Sequence, residues 1–450
     1  MALQAPTGTA DLLPEMAYRW RMVQEKAEQV FGRYGYQPIE TPTFEQLDVF
    51  VRGIGEATDV VGKEMFLVSS RERADIPQEE TPAAEAAPSP AAPASSDLLA
   101  LRPEMTAGVV RAVIQHGMLP PGASALKLYY AGPMFRHEKP QKGRLREFHQ
   151  IGAECLGAAE PSADAEVIVM LMRFFAELGL PAGSLLLKLN SMGDAQCRPG
   201  FRQAVREFIV SHPDLCPDCR RRADTNPLRA FDCKNQSCQA ILAEAPRITD
   251  ALCPDCAEHY AEVKSLLAQA QVEFVEEPRL VRGLDYYTRT VFEVEATAGL
   301  GSQNAIGGGG RYDGLGEELG GKPTPGLGFS VGFERIVLAL EAAAAPLPQL
   351  PQPAVYIASV DKSCRWAAIE QAARLRDAGI ATELDHQGRS LKSQFKAADR
   401  LGVDWVVVIG PDELASGQAT LRDMAGHDER QVALADLQAT LTAIMLAQEE

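Results

Sequence analysis

The sequence predicts an α+β domain with an antiparallel sheet flanked by helices, a small domain inserted into it, and a C-terminal α/β domain. Three observations support this fold class. Several strand-like segments follow one another in the first part of the chain, which favours an antiparallel sheet. Six of the nine cysteines lie within 41 residues, which marks an insertion. After a Pro- and Ala-rich stretch, strands and helices alternate to the end of the sequence.

These features set the predicted domain boundaries. The first domain spans residues 1–345 and is interrupted by a low-complexity loop at 71–97 and by the cysteine-rich insertion at 195–260. A linker follows at 346–353, and the second domain spans 354–450. Both the loop and the linker are rich in Ala and Pro, and such composition cannot bury a core.

Hydrophobic periodicity locates the elements of the first domain. Residues 15–34 are predicted as a helix because apolar side chains from Trp20 to Phe31 recur at spacings of three and four. Residues 125–135 and 145–155 are predicted as an antiparallel hairpin with a long basic loop. The remaining predictions are strands at 279–296, 302–307 and 326–333 and helices at 163–179 and 333–345.

The second domain has a different pattern. The segments VYIAS, ATELD and WVVVIG are predicted strands, and they alternate with predicted helices at 363–378, 391–401 and 433–447. This order is typical of a small parallel-type α/β domain.

Composition and charge exclude several classes of protein. With 46% apolar and 23% charged residues, the chain is neither disordered nor collagen-like. Its 44 basic and 61 acidic residues give a net charge of −17, which disfavours non-specific nucleic-acid binding but allows a local basic patch. The sequence has no apolar run long enough to predict a membrane span, and its first twenty residues lack the features of a secretory signal. A cytoplasmic location is therefore expected.

The cysteines are expected to be reduced in that compartment, which favours a metal site over disulfides. Two Cys-Pro-Asp-Cys pairs, Cys216 with Cys219 and Cys253 with Cys256, predict one structural Zn²⁺ site. Cys233 and Cys238 would then compete for the ion or stay free. The alternative is six reduced, partly buried thiols without metal.

A basic loop between the two hairpin strands is the first candidate functional motif. Residues 136–147 carry five basic side chains against two acidic ones, with aromatic and imidazole rings on both sides. Guanidinium groups bind phosphate and flat rings stack on bases, so the loop suits a nucleotide. A solvated charged loop is the alternative.

Three further motifs are each ambiguous alone. The segment RGLDYYT (282–288) could bind a ligand or form ordinary cross-strand pairs. The four glycines of 307–310 allow a close backbone approach but also occur in flexible turns. In 326–335 a glycine-spaced strand leads into a helix, which places Arg335 near a helix start, either at a triphosphate or on the surface.

Together these stretches closely resemble the histidyl-tRNA synthetase family, a family of class II aminoacyl-tRNA synthetases. The matching segments are RPEMTAGVVRA, GPMFRHEKPQKGRLREFHQIGAE, RGLDYYTRTVFE, GGGGRYDGL and GFSVGFERI, in that order. The segment YGYQPIETP (34–42) resembles motif 1, whose proline ends the strand at the dimer interface. Met105 departs from the pattern, since glycine is common there.

The resemblance implies that the enzyme activates histidine with ATP to form histidyl-adenylate and pyrophosphate, and then transfers histidine to its tRNA. It implies catalytic roles for Arg282 and Arg136. The ATP-binding residues would be Arg136, Glu138, Phe148 and Arg335. The histidine-binding residues would be Glu104, Thr106, Gln150, Glu154, Tyr286 and Tyr287.

The same resemblance implies the partners. The C-terminal domain would bind the anticodon, and residues 387–396 would place Arg389, Lys392 and Lys396 on or near one helical face. In the catalytic domain, tRNA(His) would contact Lys139, Gln141 and Arg144. ATP with Mg²⁺ and a homodimer are expected, and no membrane partner.

Two other classes are weaker candidates. A regulatory paralogue from histidine biosynthesis would lack the anticodon domain and have lost the arginines. A zinc-dependent RNA-binding module without enzyme activity would leave RGLDYYT and GGGGRYDGL unexplained.

Overall fold

A computed structural model describes residues 3–56, 58–69, 98–301 and 304–449. The chain forms two compact units, Met1–Pro348 and Gln349–Glu450. The predicted loop at 71–97 lies outside the described residues. Within those residues, no helix is both long and apolar enough to cross a membrane.

The first unit is built on a sheet of eight strands. The strands of this unit are β1 (Gln37–Pro38), β2 (Phe44–Gln46), β3 (Leu67–Val68), β4 (Leu99–Leu101), β5 (Leu126–Phe135), β6 (Glu147–Leu156), β7 (Leu185–Ser191), β8 (Val275–Glu276), β9 (Thr288–Ala296), β10 (Ala305–Arg311) and β11 (Gly326–Gly332). The large sheet has the order β1-β5-β6-β11-β10-β9-β7-β8, and β2-β4-β3 form a small one. Within this sheet order, every adjacent pair of strands from β5 through β6, β11, β10 and β9 to β7 is antiparallel, which confirms the predicted fold class.

Ten α-helices accompany these strands in the described part of the first unit. They are α1 (Pro14–Arg33), α2 (Leu47–Ile54), α3 (Thr106–His116), α4 (Pro161–Glu177), α5 (Arg198–Ser211), α6 (Pro217–Thr225), α7 (Gln236–Leu242), α8 (Pro254–Gln269), α9 (Leu315–Glu318) and α10 (Phe333–Ala342). Helices α1 and α4 bury their apolar faces on the sheet, where Phe31 packs 5.2 Å from Phe174 and 5.6 Å from Phe329, ring centre to ring centre. Aromatic burial of this kind fixes the helices on the sheet.

One predicted strand is wrong in its first half. The pattern predicted a strand at 279–296, but β9 begins only at Thr288. Residues before it form an irregular segment whose backbone bonds to distant parts of the chain; the Asp285 amide, for example, donates to the Ile54 carbonyl at 3.1 Å. Because this segment is not part of the sheet, its side chains can line a cavity.

The second unit contains five strands and four helices of four residues or more. They are β12 (Val355–Ser359), α11 (Arg365–Asp377), β13 (Thr382–Leu384), α12 (Leu391–Leu401), β14 (Trp405–Ile409), α13 (Pro411–Ser416), β15 (Gln418–Asp423), β16 (Glu429–Ala433) and α14 (Leu437–Glu449). The sheet order is β13-β12-β14-β15-β16. The first three strands are parallel as predicted, but β15 and β16 add an antiparallel edge that was not predicted. Strand β16 is mostly exposed, so it lacks the alternating apolar pattern that reveals a strand.

Candidate active site

A cavity of about 550 Å³ lies among strands β6, β9, β10 and β11, the β5–β6 loop and the irregular segment before β9. Every residue predicted to bind histidine or ATP lines it, except Glu154. These lining residues are Glu104, Thr106, Arg136, Glu138, Phe148, Gln150, Arg282, Tyr286, Tyr287 and Arg335. The three arginines therefore share one cavity although they lie far apart in the sequence.

Arg282 is held by groups on both sides. Its Nη1 donates to Glu293 Oε2 at 2.6 Å, and its guanidinium carbon lies 5.8 Å from the centre of the Tyr287 ring. Among the described residues its Nε is buried without a hydrogen-bond partner. Burial by itself would lower the pKa of Arg282, but Tyr287 and Glu293 raise it, so the charge is secure.

Arg136 and Arg335 are anchored by backbone carbonyls. Arg136 Nε donates to the Pro103 carbonyl at 2.9 Å. Arg335, at the start of α10, donates through Nε to the Gly143 carbonyl at 3.0 Å and through Nη1 to the Ala305 carbonyl at 2.7 Å. Neutral carbonyls fix these side chains without cancelling their charge, so both remain able to bind an anion.

The cavity concentrates positive charge. Burial lowers the pKa of Arg136, and the nearby Arg282 lowers it further, against the opposing effect of Glu64 and Glu104. Burial also lowers the pKa of Arg335, and Arg144 and Arg136 add to that effect. A bound polyanion would relieve the repulsion between these buried cations. The arginine-lined part of the cavity therefore suits a polyphosphate.

Polar and aromatic groups also line the cavity. The rings of Tyr286 and Tyr287 lie 4.7 Å apart, centre to centre. Gln150 Oε1 is buried and has no hydrogen-bond partner among the described residues. An unpaired buried acceptor is costly, so it favours a ligand that donates a hydrogen bond.

Glu104 lies at the amino end of α3. Its two carboxylate oxygens accept hydrogen bonds from the amides of Thr106 at 2.8 Å and Ala107 at 2.9 Å. Burial raises the pKa of Glu104, although these hydrogen bonds oppose the shift. The neighbouring Met105 is buried with φ −113°, so this position does not require glycine.

The structure places Glu154 behind the cavity wall rather than in it. Its carboxylate accepts hydrogen bonds from the hydroxyl groups of Thr106 at 2.7 Å, Tyr130 at 3.2 Å and Tyr312. A side chain at Gly328 would clash with this carboxylate, so glycine is needed on the strand beside it. Burial raises the pKa of Glu154 to about 8.

Tyr312 is a cavity residue that the sequence analysis did not assign. It lines the cavity and donates to Glu154, and it follows the four glycines in GGGGRYDGL. The motif itself was the available signal, but only its glycines were predicted to approach a ligand. Of these, Gly308 lines the cavity beside Arg282, and a side chain there would lie 2.8 Å from Arg282 Nη1.

The residues predicted to contact tRNA in the first unit do not all lie together. Lys139 and Gln141 are exposed in the β5–β6 loop. Arg144 instead lines the cavity and forms an ion pair with Glu138. The structure therefore groups Arg144 with the predicted ATP-binding residues.

In the second unit the predicted basic face is divided. Lys392 and Lys396 are exposed on α12, one helical turn apart. Arg389 precedes that helix, and its Nε donates to Asp385 Oδ1 at 2.5 Å. The prediction that all three lie on or near one helical face therefore holds for the two lysines, with Arg389 in the adjoining loop.

The predicted single metal site is wrong in its ligand set. Cys216 and Cys219 lie with Cys233 and Cys238, whereas Cys253 and Cys256 lie with Cys197 and Asp194. The spacing of two Cys-x-x-Cys pairs suggested that they meet, but each pair begins a different helix, α6 or α8. The chain path between those helices, which spacing alone does not reveal, decides the grouping.

Comparisons with known proteins agree with this geometry. The family profile described as histidyl-tRNA synthetase matches residues 90–200 and 221–336, and the profile described as anticodon binding domain matches 354–444. A histidine–tRNA ligase of Anaeromyxobacter sp. (strain K) is 46% identical over 443 residues, which cover 98% of this chain and 100% of that protein. The chain belongs to the histidyl-tRNA synthetase family.

Other members of the histidyl-tRNA synthetase family give the same result. A histidine–tRNA ligase of Dehalococcoides mccartyi (strain CBDB1) is 43% identical over 435 residues, which cover 96% of this chain and 98% of that protein. The crystal structure of apo histidyl-tRNA synthetase from S. aureus aligns with a TM-score of 0.77 and 33% identity, over 98% of this chain and 99% of that one.

Family membership establishes the reaction. The enzyme charges tRNA with histidine at the expense of ATP, and Mg²⁺ accompanies the nucleotide. Mg²⁺ typically uses one or two protein carboxylates together with substrate phosphates, and Glu293 and Glu295 line the cavity. The regulatory paralogue and the non-enzymatic RNA-binding module are both excluded as descriptions of this chain, since its full-length relatives are ligases.

Proposed function

We propose that the cavity is the site where histidine and ATP form histidyl-adenylate. The observation that carries this proposal is the convergence of Arg136, Arg282 and Arg335 on one cavity that is also lined by tyrosines and by the amide oxygen of Gln150, which has no hydrogen-bond partner among the described residues. A triphosphate needs the arginines, and a small polar amino acid suits the tyrosines and the amide oxygen. The cavity thus offers the charge and the hydrogen-bonding groups that the two substrates need.

The chemical step brings two anions together. A carboxylate oxygen of histidine forms a bond to the α-phosphorus of ATP, the bond from that phosphorus to the bridging oxygen breaks, and pyrophosphate leaves. In our proposal Arg136 and Arg282 neutralise the reacting carboxylate and α-phosphate, and Arg335 holds the β- and γ-phosphates. Fixed guanidinium groups lower the barrier because they need no reorganisation as charge develops.

The adenine and the α-ammonium group also have partners in this proposal. Phe148 stacks on adenine while Glu138 accepts from its amino group. Glu104 and Thr106 hold the ammonium group at the amino end of α3. Gln150, Tyr286 and Tyr287 surround the imidazole. Glu154 contributes to the same pocket together with the hydroxyl groups that donate hydrogen bonds to its carboxylate.

A substitution at Glu154 tests the histidine pocket. In Glu154→Leu we expect KM for histidine to rise about tenfold or more beyond any rise in KM for ATP, because the hydroxyl groups of Thr106 and Tyr312 lose their buried acceptor. Glu154→Gln, which keeps an acceptor, should have a smaller effect. Both constants would be measured from the steady-state rate of pyrophosphate exchange into ATP, with histidine and ATP varied in turn. Equal rises in the two constants would contradict this role.

The direct test of the proposed reaction is histidine-dependent exchange of pyrophosphate into ATP in the absence of tRNA. We expect exchange with histidine and none above background with the other amino acids. Exchange that is equally fast with another amino acid would contradict the proposed pocket.

In the second step, the transfer of histidine to tRNA, the tRNA would contact both units. We propose that Lys139 and Gln141 contact the acceptor end, that Arg144 contributes from the cavity edge, and that Arg389 and Lys392 contact the anticodon stem-loop. Exposed cations on a chain of net charge −17 give RNA binding a local site.

We further propose that the enzyme works as a homodimer in the cytoplasm and contains structural Zn²⁺ in its cysteine-rich region. The edge strand β1 belongs to the segment that resembles the family's dimer-interface motif. We propose a structural role for this zinc, because the described residues that line the cavity include none of the cysteines.

A further inference from the structure

Seven cysteines and one aspartate outside the cavity form two groups of four metal-binding side chains. The four-cysteine cluster consists of Cys216, Cys219, Cys233 and Cys238, and the Asp194 cluster consists of Asp194, Cys197, Cys253 and Cys256. Within each cluster the ligand atoms all lie within 4.8 Å of one another. We propose that each cluster binds one Zn²⁺ ion, so that the chain holds two. This extends the structural zinc proposed above and does not rest on the roles given to the cavity residues.

The four-cysteine cluster has the spacing of a tetrahedral zinc site. Cys216 Sγ lies 3.9 Å from Cys233 Sγ. Four thiolates about 2.3 Å from a zinc ion lie about 3.8 Å from one another, whereas a disulfide requires about 2.05 Å. All four thiols are unbridged. The arrangement therefore fits a shared ion and not a pair of disulfides.

The Asp194 cluster offers three thiols and one carboxylate. Asp194 Oδ1 lies 3.5 Å from Cys197 Sγ and 3.9 Å from Cys253 Sγ. Gly193 has φ +60°, and a side chain there would clash with Cys197 Sγ, so the chain turns tightly around this sulfur. Cysteine and aspartate are both ordinary zinc ligands, and a closed four-ligand set is typical of a structural site.

Helix starts position ligands in both clusters. Cys216 and Cys253 immediately precede the prolines that begin α6 and α8, and Cys197 immediately precedes α5. The start of a helix fixes the backbone of each of these three ligands, so both clusters are held by regular secondary structure.

The Asp194 cluster is tied to the segment that carries the histidine-site tyrosines. Arg289 Nη2 lies 3.7 Å from Asp194 Oδ2, and the Arg289 amide donates to the Gly193 carbonyl at 2.7 Å. Arg198, next to Cys197, donates from Nη1 to the Tyr287 carbonyl at 2.8 Å. A metal at this cluster would therefore fix the backbone around Tyr287.

The four-cysteine cluster supports the same segment from the other side. Residues 226–232 connect α6 to Cys233, and Asn226 Nδ2 donates to Asp285 Oδ1 at 3.0 Å. Arg229 from this stretch donates to the Gly283 carbonyl. Both clusters thus border the segment from Gly283 to Arg289.

The test is elemental analysis of the full-length enzyme, purified without chelator, together with two variants that each remove one cluster. We expect two zinc ions per chain in the natural sequence. The double variant Cys233→Ser/Cys238→Ser should retain one, and Cys197→Ser should also retain one. Cys364→Ala, which removes a buried cysteine outside both clusters, should retain two. Cys197→Ser should also raise KM for histidine more than KM for ATP.

A measurement on the natural sequence covers the case in which a variant fails to fold. Titrating the cysteines with a mercurial reagent should release two zinc ions per chain to a chromogenic chelator. Less than about 0.2 zinc per chain in folded, exchange-active protein would overturn the proposal, since structural sites approach full occupancy. A single ion lost only from the double variant would overturn the Asp194 site. Failed histidine specificity with two ions bound would overturn the proposed cavity roles and leave the metal sites standing.

Discussion

Replacing Arg282 with alanine is expected to lower the rate of histidine-dependent pyrophosphate exchange at least about 100-fold, with folding retained. A preorganised charge at a reacting phosphate typically lowers the barrier by about 3 to 4 kcal/mol, which corresponds to this loss. Arg282 lines the cavity, its Nε has no hydrogen-bond partner in the part of the chain that the structure describes, and its orientation is set by Glu293 and Tyr287. The substitution therefore removes the charge while leaving the surrounding wall in place.

Two further variants show whether charge or shape matters. Arg282→Lys keeps a cation but loses the forked donor, so it should recover only part of the lost rate. Arg279→Ala removes a nearby arginine that pairs with Glu277 outside the cavity, and it should leave exchange unchanged. Circular dichroism would confirm that all three variants fold. Unimpaired exchange by Arg282→Ala would refute the catalytic assignment.

Asp164→Ala is expected to cost about 3 kcal/mol of the free energy of unfolding of the first unit, because it breaks a buried ion pair and leaves the buried charge of Arg311 with Asp313, whose side chain is 34% exposed, as its ion-pair partner. Arg311 is 0% exposed and Asp164 is 1% exposed. Their side chains form an ion pair, and His259 Nε2 lies 3.3 Å from Asp164 Oδ1. This network connects the end of β10 to helices α4 and α8, close behind the cavity.

Urea unfolding measured by tryptophan fluorescence would test this stability loss. The chain has three tryptophans, and Trp366→Phe with Trp405→Phe leaves Trp20 as the reporter in the first unit. The matched control is Glu166→Ala on the same helix, which removes a more exposed pair with Lys127 and should cost at most about 1 kcal/mol. Equal losses in the two variants would show that burial of the pair is unimportant.

The Asp164 network also predicts a pH dependence. Burial by itself raises the pKa of Asp164, but His259 and Arg311 outweigh it, so the pKa lies below its ordinary value. The native state therefore binds this proton less readily than the unfolded state. The stabilisation is present above about pH 4 and is lost as the pH falls through the native pKa. In Asp164→Asn this part of the acid-induced loss should disappear, and an unchanged acid profile would contradict the assignment.

The residues that we propose to bind ATP and to act in catalysis could be predicted from the sequence because each lies in a short motif with a recognisable context. Arg136 follows the first hairpin strand and Arg335 lies at a helix start after a glycine-spaced strand, and the structure has both features. Their meeting depends on sheet topology. Strand β6 lies between β5 and β11 and pairs antiparallel with both, with Glu147 opposite Phe135 and Gln150 opposite Gly332, which places the two arginines at the same edge of the sheet.

The position of Glu154 and the role of Tyr312 could not be read from the motifs. A motif shows which residues are present, but it does not show which of them lines the cavity and which lies behind the cavity wall. Glycine at position 328 lets Glu154 sit under the wall, and Tyr312 reaches the same carboxylate from β10 and its following turn. Such layering depends on how adjacent strands pack.

The sequence by itself determined the antiparallel fold class, the two-part organisation of the chain, the family resemblance and the types of residue that we propose to bind phosphate and imidazole, because all of these are carried by local patterns. The tertiary structure alone decided which cysteines share a cluster, that Arg144 belongs to the cavity, and that residues 282–287 leave the sheet. These depend on contacts between segments distant in the chain, and hydrophobic period and motif spacing carry information only about neighbouring residues.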